Sequence, residues 1–153
     1  MNKKFSKVLA VLGIVALTLL VMPGCSVKSD NNPSFDQLIS DPARYNGQTV
    51  TIDAYIFTGF EISALSSGLT HPAASDRWTP VQPLIWLAGN IPQAVLDRLY
   101  KQSQTPSGYD ERYGKIHVTG KFEYGAKYGQ LDSYDFRLTA TGATWIDWTP
   151  VIK

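Results

Sequence analysis

The chain has 153 residues and a single cysteine, Cys25, so no intramolecular disulfide can form and a disulfide-stapled scaffold is excluded. Histidine is almost as scarce. His71 and His117 are the only two, and neither has a second histidine or a cysteine two to five positions away. Metal sites usually draw three or four ligands from such tight local pairs, so no metal site and no cofactor are expected. Charged residues make up 18% of the chain, under the usual share of about 25%. Hydrophobic residues make up 44%, too many for a wholly disordered chain. There is no Walker loop and no internal repeat. Ser66-Ser67-Gly68 lacks the G-x-S-x-G elbow of a nucleophilic serine. The length suits one domain, because two cores would be cramped at this size.

Other acid-base arrangements are equally thin. The acidic pairs are Asp53 with Glu61, Asp110 with Glu111, and Asp132 with Asp135. Paired carboxylates act only at a fixed separation across a scissile bond. Asp132 and Asp135 flank a turn, where aspartate bonds its own backbone. Asp110-Glu111-Arg112 reads as solvated loop charge. No catalytic residues are therefore expected.

What the chain does have begins at its start. Lys3, Lys4 and Lys7 precede an uncharged, almost wholly apolar run from Val8 to Met22. As a helix this run spans about 22 Å, short of the hydrocarbon core of a bilayer. The pattern is that of a secretory signal, assigned to residues 1–24. It ends at Met22-Pro23-Gly24-Cys25. That stretch resembles the lipobox of bacterial lipoproteins, with Met22 for the commoner leucine and Pro23 for the commoner alanine or serine. The resemblance implies that Cys25 receives lipid and becomes the new N-terminus, anchoring the protein to a membrane. By resemblance to diderm lipoproteins, in which an aspartate at that position retains the protein at the inner membrane, Ser26 implies the outer membrane, facing the periplasm, if the host is diderm.

Removing residues 1–24 takes away three of the 14 basic residues and none of the 13 acidic ones, so the mature chain carries 11 against 13, a net charge of −2. Nucleic-acid binding through phosphates needs a basic face, so it is not expected. Residues 25–33 read as the lipidated cysteine and a polar tether, and residues 34–153 as the domain.

Within the domain, Ser34 with Gln37 three residues on forms a capping-box pattern. Asp41-Pro42 starts another helical turn, with Asp41 as its cap. Thr49 to Thr58 alternates, with Val50, Ile52, Ala54 and Ile56 on one face, as a half-buried strand does. Phe60–Leu65 reads as a second strand. Ser66–Pro83 is a long loop without pattern, of the kind that is usually functional or mobile. Leu84–Ala88 is an apolar third strand. Pro92 to about Gln102 reads as a helix, and residues 103–114 as a second loop. Lys115–Tyr124 is a fourth strand, with Ile116, Val118 and Phe122 on one face. Asp135–Thr141 is a fifth.

The order β-β-β-α-β-β after a short helix is mainly β and matches a five-stranded oligonucleotide/oligosaccharide-binding (OB) barrel. The runs DPARYNGQTVTIDAYI and GKFEYGAKYGQLDSYDFRLTATGATWI resemble the opening and closing parts of small bacterial OB-fold lipoproteins. An SH3-like barrel is the alternative, disfavoured by the helix at 92–102.

The functional signal is aromatic. Trp78 sits in the long loop and Trp86 on the third strand, while Tyr124, Tyr128 and Tyr134 cluster about the last hairpin. Exposed rings on loops can stack on sugars or anchor partners. These five residues are the candidate ligand contacts. Trp86 alternates with Ile85 and Leu87, so it needs cover outside the core, from the Ser34–Tyr45 segment or from a partner. The leading expectation is a lipid-anchored, non-catalytic envelope module that binds a protein or glycan. The alternatives are an envelope hydrolase using Asp or His groups, or a structural accessory lipoprotein of an assembly.

Overall fold

The computed structural model describes residues 32–103 and 108–152. The signal, Cys25 and most of the tether lie outside the described residues.

Two short helices open the domain, α1 (Phe35–Ser40) and α2 (Pro42–Tyr45). The capping box forms in full: Ser34 Oγ accepts from the Gln37 N–H, and Gln37 Oε1 accepts from the Ser34 N–H. Pro42 takes the first helical position of α2, but Asp41 makes no side-chain cap. Asp41 closes α1 instead, its own N–H donating to the Gln37 carbonyl. Phe35, Leu38 and Tyr45 enter the main core.

The rest is mainly β. Strand β1 (Thr49–Gly59) turns into β2 (Ile62–Ser66), and a small ribbon, β3 (Leu69–Thr70) with β4 (Thr79–Pro80), follows. Then come β5 (Ile85–Gly89), helix α3 (Gln93–Leu96), β6 (Tyr100–Ser103), β7 (Asp110–Tyr128) and β8 (Tyr134–Trp145). Apart from the ribbon, the strands form one mixed six-stranded sheet in the order β1-β2-β5-β8-β7-β6, and β1 also pairs with β7. The β5–β8 pairing is parallel and the others are antiparallel.

The alternating face of β1 is buried throughout; Val118 and Ile116 of β7 pair with Ile52 and Ala54, and Phe122 joins the same core. Ile85, Leu87 and Leu138 complete the same core. A second, smaller cluster of Phe57, Trp78 and Tyr113 lies apart from it, joined by Tyr100 and Trp148.

Three expectations change here. The helix at 92–102 shrinks to four residues, and Tyr100–Ser103 becomes a strand paired with the start of β7. The Tyr100 ring stacks on Tyr113 with centroids 5.8 Å apart, and this cross-strand contact outweighs a weak helical preference. The 66–83 stretch is not patternless. Ser66 is fully buried; its Oγ lies 2.7 Å from both the Gly68 and Val81 carbonyls, which share its one proton, accepts from the Gly68 N–H at 3.2 Å, and ties the base of the β3–β4 ribbon. Much of the 103–114 loop is strand, because β7 begins at Asp110.

Candidate binding site

Strands β7 and β8 run on past the main sheet as a two-stranded arm, closed by a 3-10 turn at Gln130–Asp132. The arm positions four of the five aromatic residues picked out from the sequence. Register pairs Trp86 with Arg137, Arg137 with Glu123, and Tyr128 with Tyr134. Since directly paired residues share a face, Trp86, Arg137 and Glu123 form one row across three strands. Glu123 Oε2 accepts from Arg137 Nη2 at 2.7 Å and from its Nε at 2.8 Å. The Arg137 guanidinium lies 4.7 Å from the centre of the Tyr128 ring. Burial acts to raise the Glu123 pKa, but the bonds and charges of Arg137 and Lys121 outweigh it and hold the carboxyl below its ordinary range.

Trp86 and Tyr134 pack together with centroids 5.2 Å apart. Gly129 sits on both rings, with room for no side chain: a Cβ there would come within 2.7 Å of each. Trp86 therefore finds its cover in the arm's own turn, not in the Ser34–Tyr45 segment. Burial pushes the Tyr134 phenol above its ordinary pKa.

The other side of the arm carries a staircase of rings. Buried Phe122, half-buried Phe136 and exposed Tyr124 stack in succession, at 6.2 and 5.8 Å. Asn46 Oδ1 accepts from the Tyr124 N–H at 2.9 Å and pins the outer step. Phe136 is the ridge between two open clefts. One, of about 310 Å³, is walled by Ile62, Pro83, Leu84 and Tyr134. The other, of about 540 Å³, is walled by Tyr124, Lys127 and Asp135. Lys127 and Asp135 pair with each other. At the tip, Leu131 is 87% exposed and held at φ +53°. A leucine in left-handed backbone is uncommon and costs energy that the surrounding turn must hold in place.

Trp78 does not belong to this group. It is buried beside Phe57 and Tyr113, with edge contacts to His71 and Trp148. The expectation that it is an exposed ligand contact is corrected: the β3–β4 ribbon folds it onto the outer surface of β1 and β7, where it closes the second cluster. Glu111 is corrected too. It is buried, pairs with Arg77 and accepts from Gln102 Nε2 at 2.7 Å, so it is not a solvated loop charge.

The hydrolase reading meets a mixed picture. His117 Nδ1 and Asp53 Oδ1 lie 2.6 Å apart, brought together by the β1–β7 register. Both side chains are more than half exposed, and Glu61 stands at the far end of β1. The pair borders an open groove with Pro33, Ser34 and Thr51. The Ser34 hydroxyl there is engaged in the helix cap. Among the described residues no group of three metal-ligating side chains converges, and no helix is long and apolar enough to cross a membrane.

The arm can stack flat groups, offer hydrogen-bond partners and seat an apolar side chain. Phe136 and Arg137 were missed from the sequence. Phe136 sits in phase with Leu138 and Ala140, so it reads as core, and Arg137 becomes notable only through its cross-strand partners. No family model, curated protein or solved structure matches the chain.

Proposed function

We propose that this chain is a lipid-anchored envelope lipoprotein whose domain is an OB-like barrel serving as a non-catalytic binding module. Support for the barrel comes from the pairing order. Following β1–β2–β5–β8–β7 leads back to β1, and β5 and β8 run parallel. An SH3-like barrel has no need of that parallel pair. Support for the anchor comes from the signal pattern and its terminal cysteine. The predicted location is the bacterial cell envelope, on the outer membrane facing the periplasm if the host is diderm.

The observation that carries the binding role is the ring staircase beside two open clefts, with exposed Leu131 at the arm's tip. Apolar anchors next to pockets are the usual hot spots of protein interfaces, so a protein partner is favoured at this end over a glycan.

Two measurements test the reading. Metabolic labelling with an alkynyl fatty acid should tag the wild-type protein and leave Cys25→Ala unlabelled. Equal labelling of both would remove the anchor. A photoreactive residue placed at Tyr124 or Leu131 in cells should give one dominant protein adduct, absent when the probe sits at Thr141. The same adduct from all three positions would remove the site.

A further inference from the structure

At the opposite end of β8 from the arm, the chain leaves the sheet at Trp145 and groups polar and aromatic side chains around a cleft. Asp147 Oδ1 accepts from Arg98 Nη2 at 3.0 Å and from the Trp145 indole N–H at 3.1 Å. The Arg98 guanidinium lies 5.3 Å from the centre of the Trp145 ring. Trp148 is turned back toward Tyr100, whose hydroxyl donates to the Trp148 carbonyl at 3.0 Å. Tyr100 packs against both indoles, with centroids 6.2 Å from Trp145 and 6.0 Å from Trp148. Between them lies an open cleft of about 490 Å³.

The chemistry of this cleft is specific. Its walls are two half-buried indoles and a phenol ring, which offer flat apolar surface. Its polar groups stand at the rim. Asp147 is 94% exposed and Arg98 56%. Both bonds to Asp147 end on Oδ1, so Oδ2 has no protein partner among the described residues. The arginine and the aspartate cancel, so the cleft gives no net attraction for a polyanion. Flat apolar walls with a few fixed polar groups suit a ligand that is apolar on its faces and polar at its edge. A pyranose with equatorial hydroxyls has that form: C–H bonds on both ring faces, hydroxyls around the rim.

We propose that Trp145, Trp148, Arg98 and Asp147 form a binding site for a neutral, gluco-type glycan chain. One sugar ring lies against an indole. A hydroxyl donates to Asp147 Oδ2, and a second hydroxyl accepts from a free N–H of Arg98. Carboxylate and guanidinium make these the stronger, charge-assisted kind of hydrogen bond. The site stands apart from the arm, so the domain can hold a glycan at one end of β8 and a protein at the other. It does not depend on the arm being a protein site.

The test uses the mature protein from Cys25 onward in detergent micelles, titrated by calorimetry with chitotetraose and with cellotetraose. Heat of binding, together with a shift of indole N–H resonances, is the expected result. Asp147→Ala and Arg98→Ala change exposed side chains, so both should keep the wild-type circular dichroism and melting temperature while weakening binding by about tenfold each. No binding of either sugar up to its solubility limit would overturn the proposal. So would binding that survives both variants, and binding lost only in Tyr134→Ala, which would move the sugar to the arm.

Discussion

The side-chain amide of Gln102 clasps the backbone of Trp78 from both sides. Its Oε1 accepts from the Trp78 N–H and its Nε2 donates to the Trp78 carbonyl, each at 2.9 Å. One side chain thereby does the work of a strand partner, fixing the β3–β4 ribbon to β6. The same Nε2 also reaches buried Glu111. Gln102→Leu keeps similar bulk but leaves two backbone groups and a carboxylate short of a partner. Stranding part-buried polar groups costs about 1–3 kcal/mol. A fall of that size in unfolding free energy by chemical denaturation is expected; a change within error would mean that water replaces the amide without loss.

Trp78 itself should behave as a core residue. Trp78→Ala removes the centre of a cluster that includes Phe57 and Tyr113 and touches Trp148. Large-to-small changes of buried aromatics cost about 3–5 kcal/mol. Tyr128→Ala loses only a half-exposed ring beneath Arg137 and should melt within a few degrees of wild type. Equal melting temperatures for the two variants would contradict the burial of Trp78.

Gly129 should tolerate no side chain. Its φ of +73° with ψ of −161° is backbone that only glycine adopts at little cost, and the space beside it is filled by Trp86 and Tyr134. Gly129→Ala should cost about 1–3 kcal/mol from backbone strain alone. It should also enhance exposure of Trp86, read as a shift of its indole N–H resonance in a protein that keeps all four tryptophans. An unshifted spectrum with unchanged stability would mean that the turn does not rest on these rings.

Glu123 gives the acid limb of stability a molecular origin. Burial opposes ionisation of the carboxyl, but the hydrogen bonds and charges of Arg137 and Lys121 prevail and depress its pKa below the ordinary 4.5. A carboxylate with a depressed folded-state pKa stabilises the fold above its unfolded value, and that contribution is lost as pH falls through the folded value. The loss therefore lies in the acid range, below the ordinary pKa. Glu123→Gln should flatten the acid limb of a stability-against-pH curve while leaving its alkaline limb unchanged. An identical acid limb in both proteins would show that the Arg137 pair contributes no linkage.

Much of the fold was legible because its signals are local. The Val50–Ile56 alternation is strand geometry written at period two, and every member of that set is buried as expected. The Ser34–Gln37 box spans three residues and forms as written. The clustering of Tyr124, Tyr128 and Tyr134 around one hairpin follows from their spacing, and the structure keeps them on one arm. The proposed signal and lipid anchor rest on a contiguous stretch of sequence alone.

What the tertiary structure decided depends on residues far apart in the chain. Trp78 looked like a loop residue until Gln102, 24 positions away, took hold of its backbone. Residues 100–103 carry a weak helical pattern, and only the neighbouring edge of β7 makes them a strand. Trp86 needed a cover that sequence could demand but not locate, and Gly129 supplied it from a turn two strands away. Arg98 and Asp147, unremarkable in sequence, meet across 49 positions to line a cleft with two tryptophans. Periodicity and caps are set by a few adjacent backbone torsions, so the sequence alone determines them. Which aromatic rings are buried and which line a cleft is settled by long-range packing, because each ring's surroundings come from strands that meet only once the sheet has formed.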